Sequence, residues 1–271
     1  MADGRRYRLD DLRHFATALA SSAGLAPARA SALASLLLWF DAAGAPSHGI
    51  ATLGDVLEGV ESGTIDPVAE PAVVLERGST AVLDGRRGVP LLVLARAAGL
   101  ATEKARDTGV GLVRVRNVGP TGSAAGVAAE MAIGPASALI LGPGAAWAVA
   151  LPAEGGLPAV FDPALGTGGV PDAAGVYPTL VAPWASVLNP DGGWLVAALA
   201  VNALEPLSTL HERVAEAIKG LDGSEGRLLP GPWERHRREV REHGVVMGPA
   251  AWESLARHAG RRGVTPPAPH A

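Results

Sequence analysis

The stretch GAPSHGIATL, residues 44–53, places a serine and a histidine between a proline and a glycine. His48 can exchange a proton near neutral pH, and Ser47 can supply a hydroxyl beside it. Gly44 and Pro46 are typical of the end of a helix, so we expect His48 on the connection that follows, where it would be partly exposed. From the residues alone, this histidine is either an acid/base group or a structural residue at a helix corner.

A second candidate is the segment GPTGSAAG, residues 119–126, which follows a predicted strand and opens a predicted helix. Its glycines allow close backbone approach, and the N–H groups at the start of a helix favour an anion. The spacing is not G-x-G-x-x-G, so the segment either binds a phosphate or carboxylate or is a plain tight turn. Its substrate-binding candidates are Thr121, Gly122 and Ser123, together with Asn117 at the end of the preceding strand.

The sequence also bears on an acidic ligand-binding residue, on metal binding and on α/β-hydrolase chemistry. Asp162 ends an apolar strand in AVFDPALG, where it either orients a ligand, as a candidate cofactor-binding residue, or caps the following turn. The seven histidines show no metal-binding spacing and the chain has no cysteine, so we expect no metal site. The G-x-S-x-G elbow of the α/β-hydrolases is absent from the sequence.

The composition is that of a globular protein, with 48% hydrophobic and 18% charged residues in a chain of 271. A net charge of −4 gives no reason to expect nucleic acid, and the basic residues of ERHRREVREH alternate with glutamates, as on a solvated helix face. The start of the chain lacks the apolar core of a signal peptide, and no apolar run reaches the ~20 residues of a membrane span. We therefore expect a cytoplasmic protein without a membrane or nucleic-acid partner.

Apolar periodicity indicates an α/β fold. Helical spacing predicts helices over residues 8–23, 26–43, 53–63, 90–108, 124–132, 206–220 and 249–260. Short β-type runs predict the strands AVVLERG, TAVLDG, GLVRVRN, SALILG and WAVALP. We expect a helical domain built from both chain ends, 1–72 together with 205–262, and a central α/β domain over 73–204. The segment 162–193, rich in Pro and Gly, is expected to be a loop.

Several motifs occur in a characteristic order. S-H-G is followed by S-G-x-I-x-P, then by V-x-x-E-x-G-x-x-A-x-x-D-G, and then by G-V-G-L-V-x-V-R-N; RLLPGPWERHRREV stands near the far end. In these motifs the chain resembles the non-Rossmann malate/L-lactate dehydrogenase family. That family also includes sulfolactate and ureidoglycolate dehydrogenases and cyclic-imine reductases.

The resemblance implies a homodimer with a central α/β domain of the malate/L-lactate dehydrogenase type, which binds NAD(P) without a Rossmann unit. Hydride transfer to a 2-oxo acid or imine needs a proton donor and a cation for the substrate carboxylate. The sequence departs from the family pattern at both needs. The arginine of D-S-H-G-x-x-R is replaced by Thr52, and the histidine of N-H-F-G-A-A-G by Thr121. The family's G-T-N-P and G-G-H-K-G-Y-G-L segments are absent, and the stretch between Asp162 and Asn202 is shorter.

We therefore interpret the chain as a shortened, divergent member of the family. The leading hypothesis is a small-molecule biosynthetic enzyme that uses His48 as acid/base, with Ser47, on a small substrate, anionic or neutral, near residues 119–126. Its nicotinamide redox function is then impaired or lost, and no cofactor is expected. Two alternatives stay open: an NAD(P)H-dependent reductase of a 2-oxo acid or cyclic imine, and a non-catalytic dimeric pseudoenzyme or partner subunit.

Overall fold

The computed structural model describes residues 4–143, 146–166, 192–221 and 226–270. Two compact units account for the chain. The first, which we call the helical unit, consists of Met1–Ala69 and Trp233–Ala271. The second, the sheet unit, consists of Glu70–Pro232. Most of the predicted loop over 162–193 lies outside the described residues.

The described residues form eight α-helices and ten β-strands. The helices are α1 (Leu9–Ser22), α2 (Pro27–Ala43), α3 (Leu53–Glu61), α4 (Pro90–Thr108), α5 (Ala125–Ala132), α6 (Leu207–Ile218), α7 (Pro230–His243) and α8 (Pro249–Arg262). The strands are β1 (Arg5–Tyr7), β2 (Ala72–Arg77), β3 (Thr80–Asp84), β4 (Val110–Arg116), β5 (Ala136–Leu141), β6 (Trp147–Leu151), β7 (Ala159–Phe161), β8 (Trp194–Ala200), β9 (Arg227–Leu228) and β10 (Val245–Met247).

The ends of the first two helices are set by local sequence. Asp10 and Asp11 stand in the first turn of α1, where a negative charge stabilises the helix dipole. Pro27 opens α2, because its fixed φ suits the first helical position. Gly44 ends α2 in a left-handed conformation, which glycine adopts without steric cost. Both helices therefore lie close to the predicted ranges.

The helical unit packs α1 against α2, and α8 against α1 and α3. The buried residues of α1 recur at helical spacing, as expected for a helix with one face in the core. Strands β1 and β10 pair antiparallel, with Arg5 opposite Met247 and Tyr7 opposite Val245. Residues near both ends of the chain thus share one core.

The sheet unit is built on one eight-stranded sheet with the order β2-β3-β4-β8-β5-β6-β7-β9. Strands β3 and β4 are parallel, and the other paired strands are antiparallel. Helix α4 packs on β4 and β8, helix α5 packs on β5, β6 and β7, and the two helices contact each other. They therefore cover the same face of the sheet.

The predicted mixed α/β fold is confirmed, whereas the second expected domain boundary, at residue 205, lies well before the point where the sheet unit ends. Residues 205–232 were expected in the helical domain, whereas they fall within the sheet unit. The reason is the apolar face of α6: Val214 is buried against Ala153, Ala159 and Leu229. The helical periodicity of α6 was correctly recognised, but periodicity alone does not tell which core a helix joins.

Candidate functional site

His48 lies on a short turn that follows α2. The residues Pro46–His48 form a single 3-10 turn, in which the N–H of His48 donates to the carbonyl of Ala45 at 3.0 Å. His48 is partly exposed, and Ser47 is exposed. The imidazole ring is tilted against the ring of Phe40, with 6.0 Å between the ring centroids. Both predicted catalytic residues therefore lie on a turn of defined geometry that is accessible to solvent.

A buried carboxylate lies next to this turn. Asp41 is 3% exposed, and its Oδ2 accepts the backbone N–H of Ile50 at 2.8 Å. Its Oδ1 is buried and makes no hydrogen bond within the described residues. Burial raises the pKa of Asp41 to about 7, and the N–H of Ile50 only partly opposes this effect. Sequence reasoning missed Asp41; the available signal was an acidic residue near the end of an apolar helix.

Gly49 and His236 pack closely around Asp41 and the end of α2. Gly49 packs so closely on Asp41 that a Cβ atom at position 49 would overlap the carboxylate. Nε2 of His236 on α7 lies 3.3 Å from the carbonyl oxygen of Asp41, and its ring packs next to Gly44. Asp41 thus contacts the segment after His48, and His236 contacts the end of α2 within the helical unit.

The loop over 119–126 is organised around Asp162. The hydroxyl of Ser123 donates to Oδ2 of Asp162 at 2.7 Å, and the N–H groups of Ala124 and Ala125 each donate to the same oxygen at 3.1 Å. The Oδ1 atom of Asp162 accepts the N–H of Ala164 at 2.8 Å. The carboxylate of Asp162 therefore occupies the start of α5, where the sequence suggested an external anion. This geometry favours the capping interpretation of Asp162.

The candidate Asn117 lies just after β4, next to Asp84. Asn117 has a positive φ of 53°, and its side-chain amide donates to Oδ2 of Asp84 at 3.0 Å. Burial by itself raises the pKa of Asp84, but the N–H of Arg86 and the Asn117 amide outweigh it, aided by Arg116, so the pKa lies below its usual value. Asn117, just after β4, is thus tied to the turn that follows β3.

Thr121 is partly exposed and Gly122 is exposed, so both are accessible to a ligand of the sheet unit. Ser123, in contrast, is buried, and its hydroxyl is bonded to Asp162. Of the three loop candidates, only Thr121 and Gly122 are positioned to meet a ligand from solvent. His48 belongs to the helical unit, and a substrate site that combines His48 with residues 119–126 stays a prediction.

Within the described ranges, no group of three or more His, Asp or Glu side chains is placed to hold a metal ion. None of the helices in these same ranges has the length and apolar character of a membrane span.

The comparisons with known proteins agree with one another. The sequence profile of the malate/L-lactate dehydrogenase family matches residues 7–140. A malate dehydrogenase of Pyrococcus abyssi is 37% identical over 112 residues, which cover 41% of this chain and 31% of that protein. An L-sulfolactate dehydrogenase of Methanocaldococcus jannaschii is 37% identical over 93 residues, which cover 34% of this chain and 27% of that protein.

Solved structures extend the likeness beyond the matched sequence. Malate dehydrogenase from Pyrococcus horikoshii superimposes with a TM-score of 0.84 at 19% identity, covering 98% of this chain and 99% of that one. The chain belongs to the malate/L-lactate dehydrogenase family. Delta1-piperideine-2-carboxylate reductase from Pseudomonas syringae gives a TM-score of 0.75 at 20% identity, covering 94% and 100% of the two chains.

Family membership fixes the scaffold but not the reaction. The matched segment spans about a third of the length of the curated relatives. The structural likeness lies at a level of identity that shows the fold alone. The activity and the ligand of this chain are therefore matters of proposal.

Thr52 stands where the family pattern has an arginine. Its hydroxyl donates to the carbonyl of Gly49 at 2.9 Å, so it closes the turn after His48. A neutral hydroxyl that is bonded within its own turn cannot replace the two-pronged guanidinium clamp on a carboxylate. This position therefore does not fit the substrate clamp that the resemblance implies.

The nicotinamide cofactor implied by the resemblance can be tested against the start of α5. The N–H groups of Ala124 and Ala125 are the donors that a cofactor phosphate would need there, and both are bonded to Asp162. A second anion at this place would be repelled by the carboxylate. The described residues of this loop therefore do not fit a cofactor phosphate.

Proposed function

We propose that this protein is a small-molecule enzyme on a malate/L-lactate dehydrogenase scaffold, with His48 as acid/base and without a need for a nicotinamide cofactor. The observation that carries the proposal is the setting of His48. It is a partly exposed histidine on a turn held by the buried Asp41. An ionisable group presented to solvent by a rigid support is the arrangement that proton transfer requires.

Ser47 complements the imidazole. Its hydroxyl is adjacent in sequence and exposed, so it can donate to or accept from a polar group of a bound substrate. The residue at position 46 is proline, whose ring fixes its own φ at the start of the 3-10 turn that carries Ser47 and His48. In this proposal His48 delivers or removes one proton, and Ser47 orients the substrate atom that receives or loses it.

Independence from nicotinamide is supported by two side chains that are already engaged. Thr52 is bonded to Gly49, so it cannot clamp a carboxylate as the family arginine does. Asp162 fills the start of α5. In addition, Thr121 stands at the position of the family's second histidine, and a threonine hydroxyl does not titrate near pH 7. Reduction of a 2-oxo acid or imine would lack both its clamp and that proton donor.

The first experiment seeks a ligand. Thermal unfolding of the full chain is followed with NADH, NADPH and a panel of 2-oxo acids, 2-hydroxy acids, cyclic imines and amino acids, because a ligand stabilises the state that binds it. We expect stabilisation by a small metabolite and none by either reduced nucleotide. Micromolar affinity for NADH or NADPH in calorimetry would overturn cofactor independence and establish the reductase alternative.

The second experiment tests His48 with the substrate so identified. His48→Gln is expected to lower turnover by about 10²–10⁴-fold, the usual contribution of a positioned acid or base. Its free energy of unfolding should change by less than about 1.5 kcal/mol. The matched control is His14→Gln, an exposed histidine of α1 in the same unit, which should keep full turnover. Full activity in His48→Gln would contradict the proposed role, and a panel without any ligand or turnover would favour the non-catalytic alternative.

A further inference from the structure

A cavity of about 430 Å³ opens on the helical unit, away from His48 in sequence. It lies between strand β1 and the first turn of α8. Its walls are formed by Arg5, Tyr7, Met247, Pro249, Trp252 and Glu253. The volume falls within the range of small-molecule sites.

The wall of this cavity includes an aromatic pair. The rings of Tyr7 and Trp252 are stacked, with centroids 4.1 Å apart and an interplanar angle of 23°. Tyr7 is fully buried, whereas Trp252 is partly exposed. Part of the indole is therefore open to a ligand in the cavity, and a planar apolar group can make contact with it there.

The hydroxyl of Tyr7 is the decisive feature. Its oxygen is buried and has no hydrogen-bond partner within the described residues. An unsatisfied buried hydroxyl costs free energy, so native structures rarely retain one without a purpose. Arg5 lines the same cavity as Tyr7. Burial raises the pKa of Tyr7, and the charge and hydrogen-bonding capacity of the Arg5 side chain act against this rise. The Tyr7 hydroxyl, a hydrogen-bond donor, and the Arg5 guanidinium, a cation, thus belong to the lining of the same cavity.

The start of α8 adds to the same electrostatic preference. The helix begins at Pro249, and its N-cap, Gly248, has no side chain to satisfy the free N–H groups of the first turn. A helix of 14 residues carries a partial positive charge at this end. Glu253 stands one turn further on, so the cavity combines a positive wall with one acidic side chain.

We propose that this cavity binds a small carboxylate with a planar apolar body. The carboxylate meets the guanidinium of Arg5, the hydroxyl of Tyr7 and the start of α8. The planar body lies against the exposed part of Trp252. The site belongs to the helical unit alone and does not rest on the function proposed for His48.

The test uses benzoate as the probe. The full chain has six tryptophans, and the indole N–H signal of Trp252 in a ¹⁵N-labelled sample is assigned from its loss in Trp252→Phe. We expect benzoate to move this signal saturably. Acetate and inorganic phosphate, which lack the ring, and benzyl alcohol, which lacks the charge, should each bind about tenfold more weakly or worse.

Variants then assign the groups. Arg5→Gln is expected to weaken benzoate by roughly tenfold, because it removes a charge-assisted hydrogen bond. Arg8→Gln, an exposed arginine of the same segment outside the cavity, is the matched control and should change nothing. Tyr7→Phe should weaken benzoate several-fold without lowering the melting temperature, because among the described residues no hydrogen bond of good geometry to that hydroxyl is lost.

Four results would overturn the proposal. The first is a Trp252 signal that does not respond to benzoate up to its solubility limit. The second is equal binding of benzoate, acetate and phosphate, which would show a nonspecific anion effect. The third is an equal loss of affinity in Arg5→Gln and Arg8→Gln. Unchanged affinity in Tyr7→Phe would also overturn the proposal.

Discussion

The hydroxyl of Ser123 lies 2.7 Å from Oδ2 of Asp162, although 39 positions separate the two residues in the chain. This hydrogen bond joins the loop before α5 to the end of β7. The same carboxylate also accepts the N–H groups of Ala124, Ala125 and Ala164. With these donors, the carboxylate of Asp162 supplies the negative charge at the start of α5. It also links the loop before α5, the end of β7 and the turn at Ala164.

Asp162→Asn should therefore destabilise the sheet unit. An amide keeps the size of the side chain but loses the negative charge, and its NH₂ group meets backbone donors. We expect the free energy of unfolding to fall by about 2–3 kcal/mol, the range for buried hydrogen bonds to a charged group. Urea denaturation provides the measurement. Glu154→Gln, which changes an exposed acid in the same unit, is the control and should stay within about 0.5 kcal/mol. A loss in Asp162→Asn no larger than in this control would contradict the anchoring role.

Asp41 should make stability depend on pH. Its pKa is about 7 in the folded protein, against an ordinary value of 3.8. Below pH 3.8 the group is protonated in both states and has no effect; from there to pH 7 the unfolded state loses its proton first. Folding stability therefore falls as pH rises through this window, by about 1.4 kcal/mol for each unit of pKa difference, and then stays level.

Asp41→Asn removes this dependence. In chemical denaturation at a series of pH values from 4 to 8, the variant should gain stability relative to the native sequence by several kcal/mol. Asp55→Asn, at an exposed position of α3, should show no such trend. A difference between the native sequence and Asp41→Asn that does not change with pH would mean that the carboxyl group is already ionised at pH 4.

Gly49→Ala should destabilise the helical unit, because the new Cβ would overlap the carboxylate of Asp41. Either the turn that carries His48 or the end of α2 must move. We expect a loss of about 1–3 kcal/mol in the free energy of unfolding, as for other overpacked sites. Gly99→Ala is the control: this glycine is exposed inside α4 with open space around it, so alanine should stabilise by about 0.5–1 kcal/mol. Equal effects of the two substitutions would contradict the close packing.

The homodimer implied by the resemblance can be tested on the sheet. Val110, Leu139 and Leu199 are exposed, and the register of β4, β8 and β5 puts them on the same face. Adjacent exposed apolar side chains of this kind are typical of an association surface. Light scattering at micromolar concentration should give twice the chain mass for the native sequence and the chain mass for Leu199→Glu. Val68→Glu, at an exposed position of the other unit, should remain dimeric; a monomeric native protein would exclude the dimer.

Much of the fold could be predicted because its signals are local. The bounds of α4 follow from Pro90 at its start and Gly109 after its end, and the observed helix agrees with the predicted 90–108. The strands β2 and β3 are marked by apolar runs on either side of Gly78, which has a positive φ in the turn between them. Each of these features depends on residues that are close together in the chain.

The less predictable features depend on distant contacts. The bond between Ser123 and Asp162 joins segments whose proximity no periodicity reveals. Asp41 was missed because an acid in a helix is ordinarily assigned to a solvated face; its burial follows from the fold of the turn after α2 and from α7, which supplies His236. The assignment of α6 to one core or the other likewise depended on which apolar neighbours the fold brings to Val214.

The position of β8 has a consequence for how this chain is made. Residues Trp194–Ala200 insert between β4 and β5, and both of these earlier strands pair with them. During synthesis, β4 and β5 therefore emerge with unpaired edges and must wait for a strand translated more than fifty residues after β5. The family match ends at residue 140, before this strand. A fragment cut to that match would lack the strand between β4 and β5, so we expect residues 7–140 not to fold alone.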